Sequence, residues 1–164
     1  MDILSTVYTG NAIGVALLLT LILGNTSRLS GDRDLRTLIK IMFIAISGCV
    51  MDAVSYTVDG HSGAVYTAFI YISNSWLYFA NMLVGKLWVT FVVDHIKVTM
   101  EKRTRVFLNF LFYFAVACLI INVFYPIVFE IKDNVYDRKF LYFIFVLIAG
   151  LYMAESIVLH YRAK

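Results

Sequence analysis

The chain has 164 residues, room for one domain, of which 61% are hydrophobic and 15% charged, with a mean hydropathy of +0.80. Soluble domains carry about 45–50% apolar and about 25% charged residues, so the composition excludes an ordinary soluble domain and points to an integral membrane protein. The net charge of +3 sits in short basic clusters between apolar runs, which disfavours nucleic acid as a partner because no continuous basic patch forms.

In chain order, the first apolar run covers about 3–24. Only Asp2 precedes it, without a basic n-region or small-residue cleavage site, so a transmembrane helix fits better than a signal peptide. A polar turn over Asn25–Asp34, with Gly31, leads to a second span over about 35–58, closed by Asp59-Gly60-His61-Ser62-Gly63. The third span covers about 64–94, followed by a charged connector, Lys97–Arg105. The fourth covers about 106–128, with the lone Pro126 near its end, and a polar loop over Glu130–Lys139 leads to a fifth span over about 140–160. The expected fold is all-α, an integral membrane bundle of five transmembrane helices forming a single domain. Ten basic residues (Arg28, Arg33, Arg36, Lys40, Lys97, Lys102, Arg103, Arg105, Arg162 and Lys164) fall on one side and Lys132, Arg138 and Lys139 on the other. The basic side is expected in the cytoplasm, which puts the N-terminus outside and the C-terminus inside.

Cys49 and Cys118 fall inside apolar spans and read as buried thiols, while His61, His95 and His160 lie near three different span ends. No metal site or cofactor is expected. Phosphate loops, zinc motifs and catalytic triads are missing from the sequence as well.

The third span organises the chain. Its 31 residues contain no proline, and Lys86 is the single charge before Asp94. At 1.5 Å per residue it would run about 46 Å, beyond the ~30 Å hydrocarbon core, so it tilts or projects. Tyr71, Asn74, Tyr78, Asn81, Gly85 and Trp88 recur at intervals of three and four and share one face. Lipid has no use for two amides and two phenols in register, so this face is expected to look inward.

Asp52 is a carboxylate inside the second span, costly at ~2.5–3.5 kcal/mol and a functional candidate for that reason. Gly48, Asp52, Ser55 and Asp59 share one face, and Asp52 lies about two helical turns from the outer end at Asp59. Asp52, Ser55, Tyr56, Tyr71, Asn74, Tyr78 and Asn81 are therefore the candidates for lining a small-molecule pocket open to the outside, with apolar walls and a few orienting polar groups. The alternative is interhelical glue, Asp52 bonding to an Asn or Tyr of span three. Lys86, Trp88 and Glu155 are candidates for signal relay. Lys86 and Glu155 lie at compatible depths and either pair, or Lys86 snorkels to the headgroups. Trp88 suits an interfacial or packing position, and Asp94-His95 reads as a helix end. Glu101-Lys102-Arg103-Thr104-Arg105 is expected to meet anionic lipid. The final His160-Tyr161-Arg162-Ala163-Lys164 lacks a stop signal, so continuation of the last helix and a short frayed tail are both open.

Met51-Asp52-Ala53-Val54-Ser55-Tyr56, Asp59-Gly60, Gly63-Ala64-Val65, Asn74, Leu77-Tyr78, Leu87-Trp88 and Asp94 form a pattern, continued by Phe129-Glu130-Ile131, Asn134-Val135-Tyr136 and Arg138. It resembles the N-terminal multi-span sensor region of Firmicute GGDEF-type diguanylate cyclases, with related modules preceding histidine kinases. The resemblance covers Met51 to about Tyr142. It implies a sensory module in a bacterial cytoplasmic membrane that controls a cytoplasmic output domain following Lys164. The cyclase reaction joins two nucleotides across two catalytic domains, so the resemblance also implies a homodimer, with Gly14, Gly24, Gly48, Gly85 and Gly150 as close-approach sites. This chain carries no GGDEF signature and is expected to have no catalysis of its own, and Lys139-Phe140 departs from the pattern. A small transporter or channel subunit is the alternative, though the spans show no repeat and a single proline. An intramembrane enzyme using Asp52 or Asp94 is the weakest reading.

Overall fold

The structure, a computed structural model, describes residues 3–25 and 33–163. Residues 26–32, with Arg28 and Gly31 of the expected polar turn, lie outside the described residues, as do Asp2 and Lys164. The order is α1 (Ile3–Asn25), α2 (Arg33–Val58), α3 (Ala64–Ile96), α4 (Lys102–Asn122), β1 (Phe129–Lys132), β2 (Val135–Arg138) and α5 (Tyr142–Arg162). All five helices are long and apolar enough to cross a membrane, the character of a multi-pass membrane protein.

α3 is the hub: α2, α4 and α5 all pack on it, while α1 packs on α2 at the periphery. For helices that cross a membrane the hydrophobic effect gives little mutual attraction, and close packing and interhelical hydrogen bonds hold them together. Such bonds link α1 to α2, α2 to α3 and α5 to α4. Asn11 of α1 donates to Asp52 at 2.9 Å, and the Tyr8 and Thr57 hydroxyls meet at 2.7 Å. Asn74 of α3 donates to the Ser55 hydroxyl at 2.9 Å, and the Trp76 indole to Ser47 at 3.0 Å. Tyr152 of α5 donates to the Leu108 carbonyl of α4 at 2.9 Å.

α4 stops at Asn122, six residues short of the span expected from hydropathy. The cause is Pro126, whose nitrogen would have to bond the Asn122 carbonyl if the helix continued, and whose ring would collide with it. The last turn instead tightens, Val123 and Phe124 bonding back three residues. The expected polar loop is a β-hairpin, the one departure from an all-α chain. Its register pairs Lys132 with Val135, leaving Asp133-Asn134 as a two-residue turn with φ of 51° and 60°. Two successive left-handed residues make the tight turn that matches strand twist, and Asp and Asn tolerate that conformation.

The hairpin lies over the α2–α3 connection. Gly60 donates its amide to the Asn134 carbonyl at 2.8 Å, Asp59 accepts the Tyr136 amide at 3.2 Å, and Thr67 bonds the Asn134 side chain. At the opposite end, Arg33–Asp94 (3.3 Å) and Asp34–His95 (3.0 Å) tie the start of α2 to the end of α3, and Arg162–Glu101 (3.3 Å) ties α5 to the α4 entrance. Asp94-His95 is thus a helix end held by ion pairs.

Across the hairpin Glu130 faces Asp137, a like-charge pair that Lys139 bridges at 2.8 and 2.9 Å. The bond from Lys139 holds the Glu130 carboxyl below its ordinary 4.5, and the bond to Glu130 raises Lys139 above its ordinary 10.5. The Glu130 contribution to stability is then complete above about pH 4.5 and lost as pH falls through its lowered folded value; that of Lys139 is complete below about pH 10.5 and lost as pH rises through its raised one. Lys139→Gln is expected to return the Glu130 titration upward toward its ordinary value, followed by carboxyl NMR shifts. An unmoved Glu130 titration would remove the bridge from the account.

Candidate functional site

Four elements converge at the hairpin end on a cavity of about 380 Å³. α2 contributes Asp52, Ser55 and Tyr56, Asp59 follows just after its end, and α3 contributes Asn74, Leu77, Tyr78 and Asn81. The hairpin adds Tyr136 and Arg138, and α5 adds Tyr142. The helical spacing of the α2 and α3 residues brings each set to one side, and the two sides face one another across the Asn74–Ser55 bond. Strand alternation supplies the roof. Tyr136 lies opposite Ile131 and Arg138 opposite Phe129, so both share the face of buried Phe129 and point to the cavity, unlike Asp137.

Tyr78 is the centre of the aromatic wall. Its ring stacks on Phe129 at 5.8 Å and meets Phe145 edge-on at 5.0 Å, and its hydroxyl contacts that of Tyr136 at 2.5 Å. The Arg138 guanidinium lies 4.8 Å from the centre of the Tyr142 ring, a cation–π contact that needs no carboxylate. Among the described residues it forms no ion pair. The nearby Tyr136 and Tyr142 raise its pKa despite some desolvation, so it remains cationic.

Six of the seven pocket candidates come together here: Asp52, Ser55, Tyr56, Asn74, Tyr78 and Asn81. Tyr71 does not. Its ring packs on Phe129 at 5.1 Å and its hydroxyl accepts from Asn122 at 3.3 Å, making it part of the hairpin's support. The expected glue partner of Asp52 also differs: it is Asn11 of α1, not an Asn or Tyr of span three. The Asn74 amide is taken by Ser55 and the Ile70 carbonyl instead. Nor is the α3 stripe uniformly inward, for Asn74 and Tyr78 are buried whereas Asn81 is exposed at the cavity wall.

The relay candidates separate. Lys86 and Glu155 form no pair. The Lys86 ammonium lies over the Phe112 and Tyr113 rings of α4, 4.4 and 5.2 Å from their centres, and Glu155 Oε1 is buried without a hydrogen-bond partner. Helix rotation explains this, because α3 turns Lys86 toward α4 rather than α5. Trp88 packs on Phe91 at 5.4 Å and borders an apolar groove between α3 and α5.

Asp59, Leu77, Tyr136, Arg138 and Tyr142 also line the cavity and are not among the pocket candidates read from the sequence. The signal for Arg138 was the alternation Phe129-Glu130-Ile131-Lys132, then Val135-Tyr136-Asp137-Arg138 around Asp-Asn, a hairpin pattern that also fixes which face Arg138 occupies. Asn122, discussed below, was missed as well. Among the described residues no group of three metal-ligating side chains occurs. No family model, curated protein or solved structure matches the chain.

Proposed function

We propose that this chain is a membrane-embedded sensory module whose cavity at the hairpin end takes a small polar ligand from the outer side of a bacterial cytoplasmic membrane. In this reading the five helices cross the bilayer, the hairpin is external, and the basic end is cytoplasmic. The observation that carries it is the cavity, which Asp52, Asn74, Asn81 and Arg138 line together with Tyr56, Tyr78, Tyr136 and Tyr142. A ligand there would touch the roof and Tyr142, the first residue of α5, so that its binding can bias the position of the helix that leads to the C-terminus. The resemblance to cyclase sensor regions supplies the output: a cytoplasmic domain coupled through α5, a diguanylate cyclase by that likeness, in a homodimer.

The test is release of bound small molecules from the purified chain, identified by mass spectrometry. Asn81→Ala and Arg138→Gln change exposed wall residues and should leave folding intact. Each is expected to lower occupancy about tenfold, the worth of one good hydrogen bond to a charged or polar group. A cavity filled by side chains in an experimental map, with nothing released, would reduce the polar groups to glue. Movement of the compound through liposomes by the wild type would make the chain a carrier instead.

A further inference from the structure

A second crevice, about 290 Å³, lies at the opposite end of the bundle between the start of α2, the inner part of α3 and the start of α4. Arg33, Lys86 and Arg105 line it, and among the described residues Asp94 is the only carboxylate in its walls. Asp94 is already engaged by Arg33 at 3.3 Å. Lys86 and Arg105 therefore bring positive charge that no carboxylate answers among the described residues. Lys86 matters most. Its ammonium does not run along the helix to the surface but lies against the Phe112 and Tyr113 rings beside the crevice. An ammonium has three donors and no acceptor, so contacts with two ring faces still leave it a donor for a group in the crevice. A cation inside a span without a counter-charge is costly, and one that faces a cavity marks a candidate functional site there.

The remaining walls are of two kinds. Asn109 and Thr90 offer neutral polar contacts, while Val89, Val93 and Leu108 give an apolar floor. Two cations without a carboxylate partner among the described residues, a third shared with Asp94, and an aliphatic floor match an amphiphile with an anionic head. We infer that this crevice binds a phosphate group through Lys86, Arg33 and Arg105, the phosphodiester headgroup of an anionic lipid being the source that also satisfies the floor. The site lies at the other end of the bundle from the ligand cavity and stands or falls independently of it.

The test uses the full chain purified in mild detergent, with phosphatidylglycerol, phosphatidylcholine and soluble glycerol 3-phosphate as probes, and native mass spectrometry counting what is retained. Phosphatidylglycerol is expected to be retained over phosphatidylcholine. Lys86→Gln should lower that retention about tenfold, and Arg105→Gln, at an exposed position, should lower it in the same direction. Arg103→Gln, in the same basic segment but outside the crevice, should leave it unchanged. Displacement of the lipid by an equal concentration of glycerol 3-phosphate would keep the phosphate site and assign a soluble source. Equal retention of the two lipids, or an Arg103→Gln loss matching that of Lys86→Gln and Arg105→Gln, would overturn the site in favour of general surface charge.

Discussion

Asn122→Leu should release the hairpin from α4 and destabilise the protein by about 3 kcal/mol or more, since three buried backbone groups would each lose a partner at ~1–3 kcal/mol. The Asn122 side chain is 2% exposed and works at both of its atoms. Its Oδ1 accepts the amides of Val128 (2.7 Å) and Phe129 (3.2 Å), and its Nδ2 donates to the Phe129 carbonyl at 3.1 Å. Val128 and Phe129 are fully buried, so water cannot take over these bonds. Leucine fills a similar volume and supplies none of them. The expected readout is rapid hydrogen exchange at Val128 and Phe129, with a lower unfolding midpoint. Unchanged protection of the Val128 amide would show that the hairpin is held by its aromatic contacts and its bonds to Asp59, Gly60 and Thr67 alone. Because Tyr136 and Arg138 reach the cavity only while Phe129 is seated, the same change should empty the proposed ligand site without touching a residue that lines it.

The parts of this molecule that were legible in the sequence are those governed by period and hydropathy. Five helices follow from five apolar runs, and the three-four spacing of Asn74, Tyr78 and Asn81 brings them to the wall they share with Asp52 and Ser55. What escaped depends on pairing between distant elements. Asp52 needed an amide partner, but hydropathy cannot say that Asn11 of α1 is nearer than an amide of α3. Lys86 and Glu155 have matching depths, yet depth does not fix the angle about the helix axis, and that angle sends Lys86 to the α4 rings. The end of α4 was readable in principle. Pro126 disables the Asn122 carbonyl four residues back, and the apolar run 123–128 is not helical, with Val123, Phe124 and Tyr125 exposed and Val128 buried. Hydropathy measures what a segment is buried in; it does not tell whether that segment is helix or return loop.

Gly85→Val is expected to separate α3 from α5 and to lower stability by about 1–3 kcal/mol through overpacking, with a further ~1 kcal/mol if the Tyr152 hydrogen bond breaks. A Cβ at Gly85 would meet Tyr152 at 3.0 Å from Cδ2, 3.2 Å from Cγ and 3.3 Å from Cβ. These are not the far end of a flexible side chain. Tyr152 is 1% exposed and its hydroxyl is fixed to the Leu108 carbonyl, so the ring cannot yield unless α5 shifts or that bond is lost. Gly14 is also approached within the chain, 3.5 Å from Cys49 Sγ, whereas Gly24, Gly48 and Gly150 have nothing within 4 Å. Gly48→Ala in an isolated chain should therefore gain the ~0.5–1 kcal/mol that alanine brings to a helix interior. The two substitutions have opposite expected signs, and thermal unfolding of both variants in one detergent is the check. A Gly85→Val protein as stable as wild type would mean that α5 is free to slide on α3, and the close contact would then say nothing of coupling. A Gly48→Ala protein that loses stability would mean that another surface already occupies the open side of α2. A second copy of the chain would be the first candidate, and the midpoint would then depend on protein concentration. If both signs hold, the rigid contact of the bundle is α3 on α5. Any displacement of Tyr142 at the cavity would then be carried along α5 past Tyr152 to the opposite end rather than absorbed between the helices.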